Sequence, residues 1–297
     1  RMLDAENVQQ QEALGMIGVN LMYAVYQYAD DREQFVASLM DGLTSARMQI
    51  DMIRVKGPAF KDADSRLFCL ELIKKHFCDA VIFDSNGETV QPSDVLYKKN
   101  VLVVRGGYRP PTLLSLDMLE SGLRKFKSTL PANEHENILV MPEISVSLLL
   151  ERGQVDNEDF LARVDLLAAL GHKVLISNFE NFAVLNQHLS KLSRKSLAFV
   201  LGVYNLEDIL NVHNYQDHKN GLMKTIGLLT EPGTKLFIYP ASDEKTKEMK
   251  RLENLSIPDE VTFLVLHLTE NGTIQDIEDY NPEVIHIWSR TVLRMIQ

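Results

Sequence analysis

Four cations stand beside short apolar runs of this 297-residue chain: Arg54 and Lys56 at the end of 48–55, and Arg105 and Arg109 just after 101–104. Guanidinium groups fork naturally onto phosphate and carboxylate oxygens. Gly106 and Gly107 lie between the second pair and lack the Cβ that keeps a backbone N–H away from an anion. Arg54, Lys56, Arg105, Gly106, Gly107 and Arg109 therefore form a candidate anion-binding set. Glu143 follows the apolar run 138–141, a setting in which burial suits a carboxyl group to general acid–base work. Asn178, after 174–176, is placed to orient a substrate. The ligand class these residues imply is a phosphorylated or anionic small molecule, a nucleotide among them; the sequence specifies no cofactor. The competing reading makes Glu143 an ion-paired or helix-capping carboxylate and the cations ordinary loop residues paired with nearby acids.

The chemistry that is absent narrows the field. No GxGxxG follows an apolar run, and there is no GxxxxGK[ST], GxSxG, HExxH or EF-hand loop. His213 and His218 are five apart with no cysteine near them, whereas a zinc site needs a denser cluster. Cys69 and Cys78 lack CxxC spacing and read as reduced, buried thiols, which points to a cytoplasmic protein. Thirty-one basic against 41 acidic residues give a net charge of −10. Such a balance does not track a phosphate backbone, so no nucleic acid polymer is expected. The apolar stretch 14–28 contains Asn20 and Gln27 and is shorter than the roughly 20 residues of a spanning helix, so no membrane partner is expected.

The elements that position these residues follow from periodicity. Leu14, Ile17, Leu21 and Val25 recur at helical spacing and predict a helix with a core-facing stripe; Phe35, Leu39 and Leu43 predict a second. Residues 48–55 alternate and read as a first strand closed by Gly57-Pro58. Further strands are expected at 80–83, 101–104, 138–141, 174–176, 197–201 and 235–239. Helices are expected between them at 67–76, 113–126, 158–170, 182–192 and 222–229, with another starting at Leu206 behind an Asn205 cap. Alternating strands and crossover helices mean an α/β fold: a mostly parallel, doubly wound sheet with helices on both faces, after an N-terminal helical pair. The alternative is a (β/α)8-like barrel, with 262–268 as the eighth strand; Pro258-Asp259-Glu260 ahead of that run reads instead as a helix start. The expected domains are helices at 1–47 and an α/β domain at 48–297, with a sub-boundary in the polar stretch 128–136. The apolar periodicity of 284–296 runs to the last residues, so the chain reads as part of a longer protein.

Several runs resemble a bacterial protein family without an established activity. They are 50–54 through Gly57-Pro58, 90–99, 174–178, 201–206 and 235–240, and the resemblance spans about 14–296. Members carry labels such as nicotinate-nucleotide adenylyltransferase-like or TonB-dependent receptor. The first label implies an HxGH histidine pair and a glycine-led first strand, which this sequence lacks. The second implies many amphipathic barrel strands, also lacking. The resemblance therefore points to a family and not to a reaction, and carries over no catalytic residue. Two functions follow: a protein that binds an anionic small molecule through the residues above, or a non-catalytic assembly module. In the second, the apolar helices 14–28 and 284–296 pack on a protein partner or a second copy.

Overall fold

The computed structural model describes residues 1–151, 153–215, 221–243 and 246–296, so His218 lies outside the described residues. Its helices of eight or more residues are, in chain order, α1 (Asn7–Gln27), α2 (Arg32–Leu39), α3 (Ser65–Lys74), α4 (Leu113–Thr129) and α5 (Asn157–Ala169). They continue with α6 (Phe182–Ser193), α7 (Val203–Leu210), α8 (Gly221–Leu229), α9 (Thr262–Glu270) and α10 (Ser289–Ile296). The sheet strands are β1 (Ala80–Phe83), β2 (Thr89–Val90), β3 (Asn100–Arg105), β4 (Ile138–Ser145), β5 (Val174–Ser177), β6 (Leu197–Gly202), β7 (Thr234–Tyr239) and β8 (Ile274–Asp276). The fold is α/β, with a mostly parallel sheet flanked by helices. The chain divides into two units, one of 1–95 and 145–178 and the other of 96–144 and 179–297.

In the second unit the strands run β8-β7-β6-β3-β4, all parallel. Val101 lies opposite Leu197 and Arg105 opposite Glu143. The β3 segment Val101–Val104 is wholly buried, as a strand covered on both faces must be. Helix α4 is capped by Thr112, whose hydroxyl accepts from the Ser115 N–H. It packs Leu119 and Phe126 onto Leu102, Val200 and Phe237. Gly122 permits that approach, because a Cβ there would stand 2.4 Å from Val200 Cγ2. The run that a barrel needed as a strand is helix α9, which favours the open, doubly wound arrangement. Strand β8 was not legible as a strand. The polar stretch 128–136 lies within this unit, as the end of α4 and a short 3-10 turn.

In the first unit β1 is antiparallel to both β2 and β5, with Ile82 opposite Val90 and Val81 opposite Ile176. The N-terminal helical pair forms as expected, and Asp31 caps α2 by accepting from the Gln34 N–H. Cys69 and Cys78 are free and buried, and burial pushes the Cys69 thiol up to about 11.

Three sequence expectations need correction. Residues 48–55 do not form a strand beyond an isolated bridge from Met48 to Met2. Its N–H groups bond singly to scattered partners: Gln49 to the Arg1 carbonyl, Ile50 to that of Phe77, and Val55 to the Ser65 hydroxyl. Alternation reflects extended backbone, and a ladder needs a neighbouring strand as well. Of the predicted stripe Leu14, Ile17, Leu21 and Val25, only Ile17 packs, half-buried, against the core; the other three are exposed, and the buried α1 residues are Ala13 and Ala24. Small side chains let α1 lie close to α2, and the Asn20 amide donates to the carbonyls of Leu39 (3.0 Å) and Asp41 (2.8 Å), fixing which face turns inwards. Finally, α7 begins at Val203 with Gly202 as its cap, so Asn205 lies inside the helix.

Candidate functional site

Strand β3 ends at Arg105, directly opposite Glu143 in the parallel ladder with β4. Glu143 thus stands within a strand, fully buried at 0% exposure. The Arg105 guanidinium reaches it with both arms of its fork, Nε to Oε2 at 2.6 Å and Nη2 to Oε1 at 3.1 Å. Arg105 also donates to the carbonyls of Phe179 (3.1 Å) and Glu180 (3.2 Å), and its guanidinium lies 4.6 Å from the centre of the Phe182 ring. Four of its five N–H groups are therefore taken by protein acceptors. The charge on Glu143 is met by a fixed guanidinium at bidentate geometry, and this is the ion-paired arrangement.

The glycines beyond β3 are also built into the scaffold. The Gly106 N–H donates to the Glu143 carbonyl at 3.0 Å. A Cβ at Gly106 would stand 3.2 Å from the Tyr108 ring, which folds back over it. Tyr108 is buried, takes a left-handed backbone (φ 46°) and donates its hydroxyl to the Val104 carbonyl at 2.7 Å. Burial first, and the Glu143 charge second, push that hydroxyl's pKa well up, so it remains a donor. Neither Gly107 nor Arg109 is without a partner, and Arg109 is half-buried.

In the same unit the sequence reading missed a second polar cluster. Tyr239, at the end of β7, donates to Asp117 Oδ2 at 2.5 Å, and the same oxygen accepts the Asn281 N–H at 3.0 Å. Its ring meets Tyr280 edge-on at 5.8 Å, and Arg251 donates to the Tyr280 hydroxyl at 2.9 Å. Burial and the Asp117 carboxylate push the Tyr239 hydroxyl well above its ordinary value. Tyr239 and Asp117 are thus matched internally, whereas Arg251 Nε is buried without a hydrogen-bond partner among the described residues.

The remaining predicted residues belong to the first unit. Arg54 donates to the Thr89 carbonyl and lies 3.7 Å from the Glu88 carboxylate. Lys56 is exposed on the rim of an open cleft of about 510 Å³, with Lys61, Asp62, Asp64, Asn86 and Gly87 among the lining residues. Arg66 on its wall is gripped by Asp64 at 2.7 Å and by Asp165. The turn N–H groups that would face an anion are taken: those of Asn86 and Glu88 donate to the Asp84 carboxylate, and that of Gly87 to the Asp84 carbonyl. Asn178 Nδ2 lies 2.6 Å from His76 Nδ1, and its backbone N–H donates to the Asp79 carbonyl. Arg54, Lys56 and Asn178 thus belong to one unit, and Arg105, Arg109 and Glu143 to the other. Among the described residues no group of three or more His, Cys, Asp or Glu side chains is placed to hold a metal ion.

The other candidate feature is the apolar helix α1, which the sequence offered as a packing surface for a partner or a second copy. Val8, Leu14, Val19, Met22 and Tyr26 are all exposed, Tyr26 at 90% and Val8 at 77%. Gly15 and Gly18 lie among them with no atom within 4 Å of where a Cβ would sit. The signal in the sequence was the absence of any charge over 13–29. Among the described residues no helix is long and apolar enough to cross a membrane. Compared with family models and with curated proteins, the chain matches none.

Proposed function

We propose that this protein works by association: an α/β scaffold that presents α1 to an apolar protein surface, without turnover of its own. The observation that carries this reading is the outward-facing apolar side of α1. Its eight large exposed apolar residues offer on the order of 800 Å², about one partner's share of a standard interface and more than the roughly 300–600 Å² of a typical monomer's largest patch. The internal pairing of Arg105 with Glu143 and of Tyr239 with Asp117 supports the same view, since these groups hold strands and loops in place. A photo-crosslinker at Met22 in the full chain is expected to give protein adducts. One at exposed Glu260, on the second unit, is not. Equal labelling at both positions, or none at Met22, overturns the reading.

A second reading keeps the anion site, now confined to the first unit, because Lys56 and Lys61 share the rim of an accessible cleft. The acids Asp62, Asp64, Glu88 and Asp165 also line that cleft and offset its cations. Calorimetric titration with pyrophosphate tests it: heat that is lost in a Lys56→Ala/Lys61→Ala double variant supports a site, and no heat removes this reading.

A further inference from the structure

From the exposed face of α1 we infer that the partner is a second copy of this chain, its α1 crossing the first antiparallel about a two-fold axis near residue 20. The inference rests on the association reading above and names the occupant of that same surface. Down the centre of the exposed face run Gln11, Gly15, Gly18 and Met22 at spacings of four, three and four, continued by Val25 and Tyr26. The first half of this line is a shallow notch, because nothing stands within 4 Å of the missing Cβ atoms of Gly15 and Gly18. The second half is a ridge, with Met22 67% exposed and Val25 and Tyr26 also exposed. An antiparallel two-fold pair sets the ridge of each helix into the notch of the other, placing Met22 against the partner's Gly18 and Val25 against its Gly15. Such self-complementarity is the mark of an isologous interface.

Charge selects the same occupant. Residues 13–29 carry no charge, and 13–27 of them make about 22 Å of helix. A partner with charges in that contact would find no counter-charge, whereas a second α1 is equally neutral. The acids at the ends, Glu6 and Glu12 on one side and Asp30 and Asp31 on the other, diverge when two helices cross at the common angle of about 50°, and screening covers the rest. A lipid surface fits poorly. Helices that lie on membranes carry Lys or Arg on their polar face, while the only charged residue within α1 is Glu12.

Sedimentation of the full chain over a concentration series is expected to show conversion from 33.8 kDa to twice that mass. Met22→Lys and Gly18→Leu are each expected to shift the midpoint at least tenfold upwards in concentration while leaving the thermal transition of the monomer in place. Gly18→Leu meets open space within its own chain, and Met22→Lys places a charge on an already exposed position, so one backs up the other if either misfolds. Geometry is read by disulfide trapping, which the buried Cys69 and Cys78 do not disturb. Mixed Gly18→Cys and Met22→Cys chains are expected to link to one another in preference to themselves. A chain that stays monomeric throughout overturns the inference, as does preferential Met22→Cys self-linkage, which marks a parallel pair. Protein adducts at Met22 alongside a strictly monomeric purified chain would sink this inference and leave the association reading standing.

Discussion

Arg105 and Glu143 are 38 residues apart in the chain, and only the β3–β4 register brings them together. A buried pair of this kind adds little net stability over an apolar pair of the same volume, but removing one member leaves the other charge without a counterpart. Glu143→Gln is therefore expected to lower unfolding free energy by about 3–5 kcal/mol in urea denaturation, and the Arg105→Met/Glu143→Leu double variant by much less. Equal losses in the two would mean that charge pairing is not what the site contributes. Asp64 behaves differently because it is half-exposed. Burial works against its charge, but the Arg66 side chain and backbone N–H, with Arg32 beyond, outweigh it and hold the carboxyl below its ordinary value. A lowered folded-state pKa gives stability that is present above the unfolded value of about 3.9 and lost as pH falls through the folded one. The difference in Tm between the protein and Asp64→Asn, which keeps a capping side chain, should accordingly be largest near neutrality and shrink below about pH 4. A difference that is flat across that window would remove the ion pair from the account.

At the scale of elements, α1 shows how a helix can be legible while its orientation is not. Periodicity places it correctly, yet equating large apolar side chains with the core turns its face part of a turn away: Ile17 packs inwards, while Leu14, Leu21 and Val25 do not. The inward face is chosen by Ala13 and Ala24, which permit close packing, and by the two hydrogen bonds from Asn20. Replacing Asn20 by Ala removes both bonds and leaves the Leu39 and Asp41 carbonyls to find water. The expected loss is about 1–2 kcal/mol, read by thermal or urea unfolding, whereas Val19→Ala on the opposite face should change monomer stability by under about 0.5 kcal/mol. Strands such as Val101–Val104 were readable because burial on both faces demands an unbroken apolar run. Residues 48–55 misled because period-two alternation reports extended backbone, and whether a neighbour exists to ladder with is a property of the fold. The candidate anion set was drawn up on the same footing, and it falls on both units: being at the end of an apolar run says nothing about which residue lies across from it, as Glu143 across from Arg105 shows.

For the whole molecule the decisive quantity is net charge. At −10 each copy repels another, and that repulsion acts against any self-association driven by the neutral face of α1. Added salt screens the repulsion over about 10 Å at 0.1 M and about 3 Å at 1 M, while burial of apolar surface is barely weakened. Pairing through α1 is therefore expected to tighten as sodium chloride rises from about 0.05 to 0.5 M, by a few-fold in the dissociation constant measured by sedimentation. Anion capture at Lys56 and Lys61 has the opposite sign, because the same salt screens the attraction it depends on. A dissociation constant for self-association that weakens with salt would show that charged groups, rather than the uncharged stretch 13–29, hold the copies together, and would move the interface away from α1.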